Sequence, residues 1–131
     1  MMQRPQIGIK VVQTQQTTVL FVEDDPRVRD VLPYVLPAEF KTFVVGSGAE
    51  AISVLADEQV DVLFTDIVMP GINGIELVQL AKRANPDLLV IMMTGYISRA
   101  AEAEAVGRLM YKPLRPRQIE KAVREAIASR P

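Results

Sequence analysis

The sequence contains no cysteine and no histidine. Without thiols there is no disulfide framework, no thiolate zinc site and no cysteine nucleophile. Without imidazole there is no Ser-His-Asp triad, and no histidine serves as metal ligand or base. Tryptophan is absent as well. No apolar run approaches the roughly 20 residues needed to span a bilayer, so no membrane association is expected. The N-terminal run Ile7 to Val12 is short and interrupted by Lys10, too little for a secretory signal. A soluble cytoplasmic protein is the expectation, and the lack of cysteine agrees with a reducing compartment. Charge of one sign is also missing: 15 bases face 16 acids, for a net charge of -1. Direct nucleic-acid binding through overall charge is therefore not expected. Any chemistry must come from carboxylates, hydroxyls, lysine or the backbone.

What is present suits one folded domain. The chain has 131 residues, 49% of them hydrophobic and 24% charged, enough to build a single core. Its charge is uneven. From Thr18 to Glu76 there are eleven acids and three bases, whereas Arg108 to Pro131 holds seven bases and two acids. The basic segment reads either as a solvated last helix, with cations near its C-terminus, or as a docking face. Residues 1–17 read as an N-terminal arm, rich in glutamine and free of acids. Its Ile7, Ile9 and Val11 alternate weakly, and a flexible tail is favoured over an added edge strand. Residues 18–131 form the domain.

Within the domain, apolar runs alternate with amphipathic stretches. Val19 to Val22, Lys41 to Val45, Val60 to Thr65, Leu88 to Met93 and Leu109 to Tyr111 are predicted strands. They are largely continuous in apolar character, as expected of buried parallel strands. Helices are predicted over Pro26–Leu36, Gly48–Asp57, Asn73–Ala84, Ser98–Ala105 and Arg115–Ser129. Asp25 and Pro26 supply an N-cap and a first-turn proline, while Pro33 should kink or shorten the first helix. Met69-Pro70-Gly71 is a turn. The alternation predicts an α/β fold, a doubly wound five-stranded parallel sheet with helices on both faces.

In such folds, sites form beyond the carboxyl ends of the strands, at the topological switch point. The polar residues fall at those ends: Glu23, Asp24 and Asp25 after strand one, Asp66 after strand three, Thr94 after strand four and Lys112 after strand five. Each alone is commonly a cap or a loop residue. Four strand ends delivering a coherent set to one pocket is a different matter. Crowded carboxylates repel unless a cation intervenes, and an all-oxygen site suits Mg²⁺. A carboxylate there can attack phosphorus to give an aspartyl phosphate. The ammonium of Lys112 and the hydroxyl of Thr94 can stabilise charge on the transferring group.

The motifs Val19-Leu20-Phe21-Val22-Glu23-Asp24-Asp25-Pro26, Leu63 to Gly74, Met93-Thr94-Gly95-Tyr96 and Tyr111-Lys112-Pro113-Leu114 span most of residues 18–129. Together they resemble the receiver domain of response regulators in two-component signalling, the family of the bacterial chemotaxis regulator, with its flavodoxin-like fold. The resemblance implies that Asp66 is the phosphoacceptor. It implies Mg²⁺ held by Asp24 directly, by Glu23 partly through water, by Asp66 and by the backbone carbonyl of Val68. Thr94 becomes the switch hydroxyl and Lys112 the lysine that pairs with the acyl phosphate, beside a cis Lys112–Pro113 bond. The phosphoryl source is a histidine kinase or a histidine phosphotransfer protein. The output is contact with a further protein, from a monomer or weak dimer. Catalysis is limited to the chain's own phosphorylation and dephosphorylation.

Three departures from the family pattern stand out. Leu109 occupies the place of an aromatic three residues before the lysine. Only 18 positions separate Thr94 from Lys112, so the fourth helix region should be shortened and a standard activation dimer is not assumed. Val68 and Tyr96 form a bulky pair beside the expected water path, which suggests slow hydrolysis. Other readings remain: an aspartate-nucleophile phosphohydrolase of the haloacid-dehalogenase type, which needs an acid where Val68 stands; a degenerate receiver used only for binding; and a flavin-binding relative, which lacks its phosphate loop here.

Overall fold

The computed structural model describes residues 16–130 apart from residues 97 and 99. Residues 1–15, most of the predicted arm, lie outside that range. The elements run β1 (Thr17–Val22), α1 (Pro26–Arg29), a short 3₁₀ turn (Leu32–Tyr34), β2 (Phe40–Val45), α2 (Gly48–Asp57), β3 (Val62–Asp66), α3 (Gly74–Ala84), β4 (Leu89–Thr94), α4 (Ala100–Glu104), β5 (Arg108–Tyr111) and α5 (Pro116–Ala128). All strand pairings are parallel, in the order β2-β1-β3-β4-β5. The winding reverses between β1 and β3, which creates the switch point the sequence pattern requires.

The sheet is buried on both faces because successive strand side chains alternate between them. Leu20, Val22, Leu63 and Met92 pack with α2, α3 and Ala103 of α4 on one face. Val19, Phe21, Val62, Phe64, Ile91 and Met93 pack with Leu32, Leu36 and the Ile119, Ala122 and Val123 stripe of α5 on the other. Phe21 and Phe64 meet at 5.3 Å between ring centroids. Burying each such side chain contributes about 1.5–3 kcal/mol, so the sheet core is what holds the strand ends in place.

The first helix is shorter than the predicted span Pro26–Leu36. It starts as expected, with Asp25 accepting from the Arg27 amide and Pro26 in the first turn. It stops at Arg29. Pro33 lacks an N–H and its ring would clash with the carbonyl four residues earlier, that of Arg29. The chain continues in the 3₁₀ turn instead. The fourth helix is likewise short, five residues, in line with the 18-position spacing. In α5, several of the bases are engaged in ion pairs: Arg124 with Glu39 and Glu120, and Lys121 with Glu125. That is the behaviour of a solvated helix face.

One glycine is required by packing. The Gly74 amide donates to the Ile67 carbonyl at 2.8 Å and opens α3. A Cβ at Gly74 would collide with the Asp66 carbonyl oxygen and approach Ile67 Cα to 2.8 Å. The Asn73–Glu76 capping box fixes this helix start. Gly74→Ala is expected to cost about 3 kcal/mol, the upper end of overpacking penalties, read as a lowered urea midpoint.

Candidate functional site

Three buried strands end on the functional side chains. Glu23 follows β1, Asp66 is the last residue of β3 and Thr94 the last of β4. Lys112 follows β5, and its amide donates to the Thr94 carbonyl at 2.8 Å, so β4 fixes where the lysine begins. The Lys112–Pro113 bond is cis, as the resemblance implied. Lys112 Nζ donates to Glu23 Oε1 and to Asp66 Oδ2, each at 2.7 Å. One ammonium thus joins residues 46 and 89 positions away in sequence.

The surroundings are well buried for charged groups. Glu23 is 0% and Asp66 5% exposed, and Asp24 is half-buried. Burial raises the Glu23 pKa, against the lowering effect of its hydrogen bonds from Lys112 and the Asp25 amide; the nearby Asp66 carboxylate adds to the rise. For Lys112, burial opposes the charged form, yet the hydrogen bonds to Asp66 and Glu23 win and raise its pKa. The ammonium therefore stays protonated and both carboxylates are drawn to it.

The remaining donors are local. Glu23 Oε2 accepts from the Asp25 amide at 3.1 Å. Asp66 Oδ1 accepts from the Val68 amide at 3.2 Å, and the Asp66 carbonyl accepts from the Thr65 hydroxyl at 2.9 Å. The Thr94 hydroxyl is buried and accepts from the Tyr96 amide at 3.0 Å. Carboxylate oxygens of Glu23, Asp24 and Asp66 all lie within 4.8 Å of one another. This close, all-oxygen, three-acid cluster fits a hard divalent cation such as Mg²⁺.

The structure also separates the acidic triplet. Asp25 turns away from the cluster and is held by Arg27, whose side chain donates to it at 3.0 and 3.3 Å. Two residues that the sequence reading did not single out join the site. Gly74 admits the Asp66 carbonyl. Arg29, at the end of α1, donates to the Asp24 carbonyl at 3.3 Å. Gly74 was visible within its motif, but nothing in the sequence linked Arg29 to the loop before it.

Comparison with known proteins agrees with this geometry. The family described as response regulator receiver domain matches residues 19–124. The DNA-binding transcriptional regulator NtrC of Escherichia coli K12 is 37% identical over 112 residues, covering 83% of this chain and 24% of NtrC. The DNA-binding response regulator MtrA of Mycolicibacterium smegmatis is 29% identical, covering 87% of this chain and 52% of MtrA. This chain thus spans about a quarter to a half of these relatives' length. A CheY-like response regulator receiver domain protein from Methanospirillum hungatei shares the fold, with a TM-score of 0.82 at 23% identity over 88% of this chain and 97% of that one. From its parallel sheet, its strand-end acids and lysine, and a match over most of its length, the chain belongs to the response regulator receiver domain family.

Proposed function

We propose that Asp66 is the residue of this receiver domain that accepts the phosphoryl group. The observation that carries the reading is the single ammonium of Lys112 placed 2.7 Å from both Glu23 and Asp66. That position suits an ammonium which, once Asp66 carries an acyl phosphate, pairs with the phosphoryl oxygens. One Asp66 oxygen attacks phosphorus, a P–O bond forms, and the bond to the donor's nitrogen or oxygen breaks with its electron pair leaving on the donor. The buried Thr94 hydroxyl is the switch group, exchanging its bond from the Tyr96 amide for one with the new phosphoryl oxygens.

Glu23, Asp24, Asp66 and the backbone carbonyl of Val68 would hold Mg²⁺. When bound, the ion neutralises charge on the transferring group. The donor is a histidine kinase or a histidine phosphotransfer protein, and the modified surface then changes its contacts with an output protein. The domain works as a monomer or weak dimer in the cytoplasm. Its chemistry is confined to its own phosphorylation and dephosphorylation. Turnover of external phosphomonoesters in the haloacid-dehalogenase manner would need a general acid where Val68 stands, and valine has no proton to give.

The test is incubation with a small acyl- or amido-phosphate donor, followed by intact-mass measurement. One phosphoryl adduct is expected with Mg²⁺ and none with excess chelator. An adduct of equal yield without a divalent cation would refute the metal-assisted reading.

Val68 and Tyr96 bear on how long the adduct lasts. Both backbone amides bond to site oxygens, while the two residues are 48% and 65% exposed. These bulky groups obstruct water approaching phosphorus, and the Val68 side chain has no polar atom to orient it. Val68→Asn is expected to shorten the phosphoryl half-life by roughly tenfold, less than a fully positioned acid or base contributes. An unchanged half-life would remove the obstruction from the account.

A further inference from the structure

Arg29 is half-buried, and among the described residues it makes no ion pair. Among the described residues, its guanidinium makes one hydrogen bond, to the Asp24 carbonyl at 3.3 Å. A half-buried arginine spent on a backbone carbonyl next to three carboxylates calls for a reason, since guanidinium groups ordinarily pair with acids.

The path of the side chain explains Gly46. An ideal Cβ at Gly46 would stand 2.7 Å from an Arg29 terminal nitrogen and 3.4 Å from Arg29 Cζ. Gly46 has no positive φ, so the backbone there accepts any residue. The crossing guanidinium is the closest obstacle to a larger one. Gly46 itself is anchored: its amide donates to Glu50 Oε1 at 2.9 Å, and Glu50 is in the capping turn of Ser47 at the start of α2. The guanidinium therefore lies between two fixed supports, the end of α1 and the turn after β2. From there it grips the carbonyl of the residue whose side chain points to the acidic cluster.

We infer that Arg29, seated over Gly46, is a positioning residue that fixes the β1–α1 loop so that Asp24 is pre-aimed at the divalent cation. The inference rests on the metal reading given above. The two effects that Arg29 could have on a nearby cation carry opposite signs. As a positive charge it repels the ion, and its removal would tighten binding. As a loop anchor it lowers the cost of ordering Asp24, and its removal weakens binding. Groups that orient metal ligands typically change affinity by about 10- to 100-fold when lost.

Gly46→Ala separates charge from position. The added methyl meets only the far end of a flexible side chain and the Glu50 carboxylate at 3.3 Å. The guanidinium swings off the Asp24 carbonyl while its charge remains.

The experiment is isothermal titration of Mg²⁺ into wild type, Arg29→Met, Gly46→Ala, the double variant and Asp24→Asn, with metal-free melting temperatures alongside. Both single variants are expected to bind Mg²⁺ roughly tenfold more weakly, with metal-free melting temperatures close to wild type. The double variant should be no weaker than either single one, because the same contact is lost once. Unchanged or tighter binding in either single variant overturns the positioning role, as does a loss in the double variant that adds the two. If Asp24→Asn binds Mg²⁺ as the wild type does, the metal site is misassigned and the inference falls with it. If Asp24→Asn loses binding and the Arg29 and Gly46 variants do not, only the inference falls.

Discussion

Asp66→Asn is expected to yield no phosphoryl adduct under conditions that fully modify the wild type. The amide oxygen carries no negative charge and cannot serve as the nucleophile. The change is nearly isosteric, so the Val68 amide keeps an acceptor and the β3 backbone pairing is untouched. Far-ultraviolet circular dichroism and the urea midpoint should show a folded domain. An adduct of comparable yield on this variant would transfer the acceptor role to another carboxylate, with Asp24 and Glu23 the nearest candidates.

Lys112→Met has the second large effect, and it acts on both stability and chemistry. The ammonium is the partner of a fully buried Glu23 and of Asp66. Removing one member of such a pair leaves the other charge uncompensated, at a typical cost of about 3–5 kcal/mol. Glu23 can escape part of that cost by taking up a proton, which its burial already favours. Destabilisation of the metal-free domain is therefore expected at or below the lower limit of that range, about 2–3 kcal/mol. Saturating Mg²⁺ should restore part of it, because a bound cation offsets the same carboxylates. Phosphorylation by a small donor should slow by about a hundredfold, as when one preorganised charge donor is lost. Denaturant melts with and without Mg²⁺, together with adduct formation rates, check both arms. A variant as stable and as reactive as the wild type would show that the 2.7 Å contacts carry no weight.

The strand ends were legible in the sequence because burial and chemistry change together there. Val19 to Val22 and Leu63 to Thr65 are buried throughout, and each run passes directly into an acid. Once the apolar runs are accepted as parallel strands, topology alone brings Glu23, Asp66, Thr94 and Lys112 to one rim. Element boundaries were less legible. β1 begins at Thr17 and β3 at Val62, each two residues from its predicted start, since strand limits depend on which partner offers a carbonyl or amide. The break of α1 at Arg29 follows from Pro33 by a clash that spans a full turn, and it moved the helix end further back than the proline suggested.

Side-chain allegiance within the acidic triplet was legible only in part. Asp24 and Asp25 are chemically identical and adjacent. Asp25 before Pro26 reads as the N-cap of α1 and does cap it; the structure adds its pairing with Arg27 while Asp24 stays with the cluster. The Arg29–Asp24 contact was hidden for a similar reason. It depends on the free space above Gly46, and that space is a property of how β2 and α1 are placed, not of either segment alone.

The most direct test of the phosphoacceptor assignment is chemical mapping of the adduct. The wild-type domain would be phosphorylated by a small donor with Mg²⁺, reduced with borohydride, digested and sequenced by tandem mass spectrometry. An acyl phosphate on Asp66 is reduced to homoserine, so homoserine at position 66 and nowhere else is the predicted result. Homoserine at another acidic position, or a stable phosphoryl group on a hydroxyl residue such as Thr94, would contradict it.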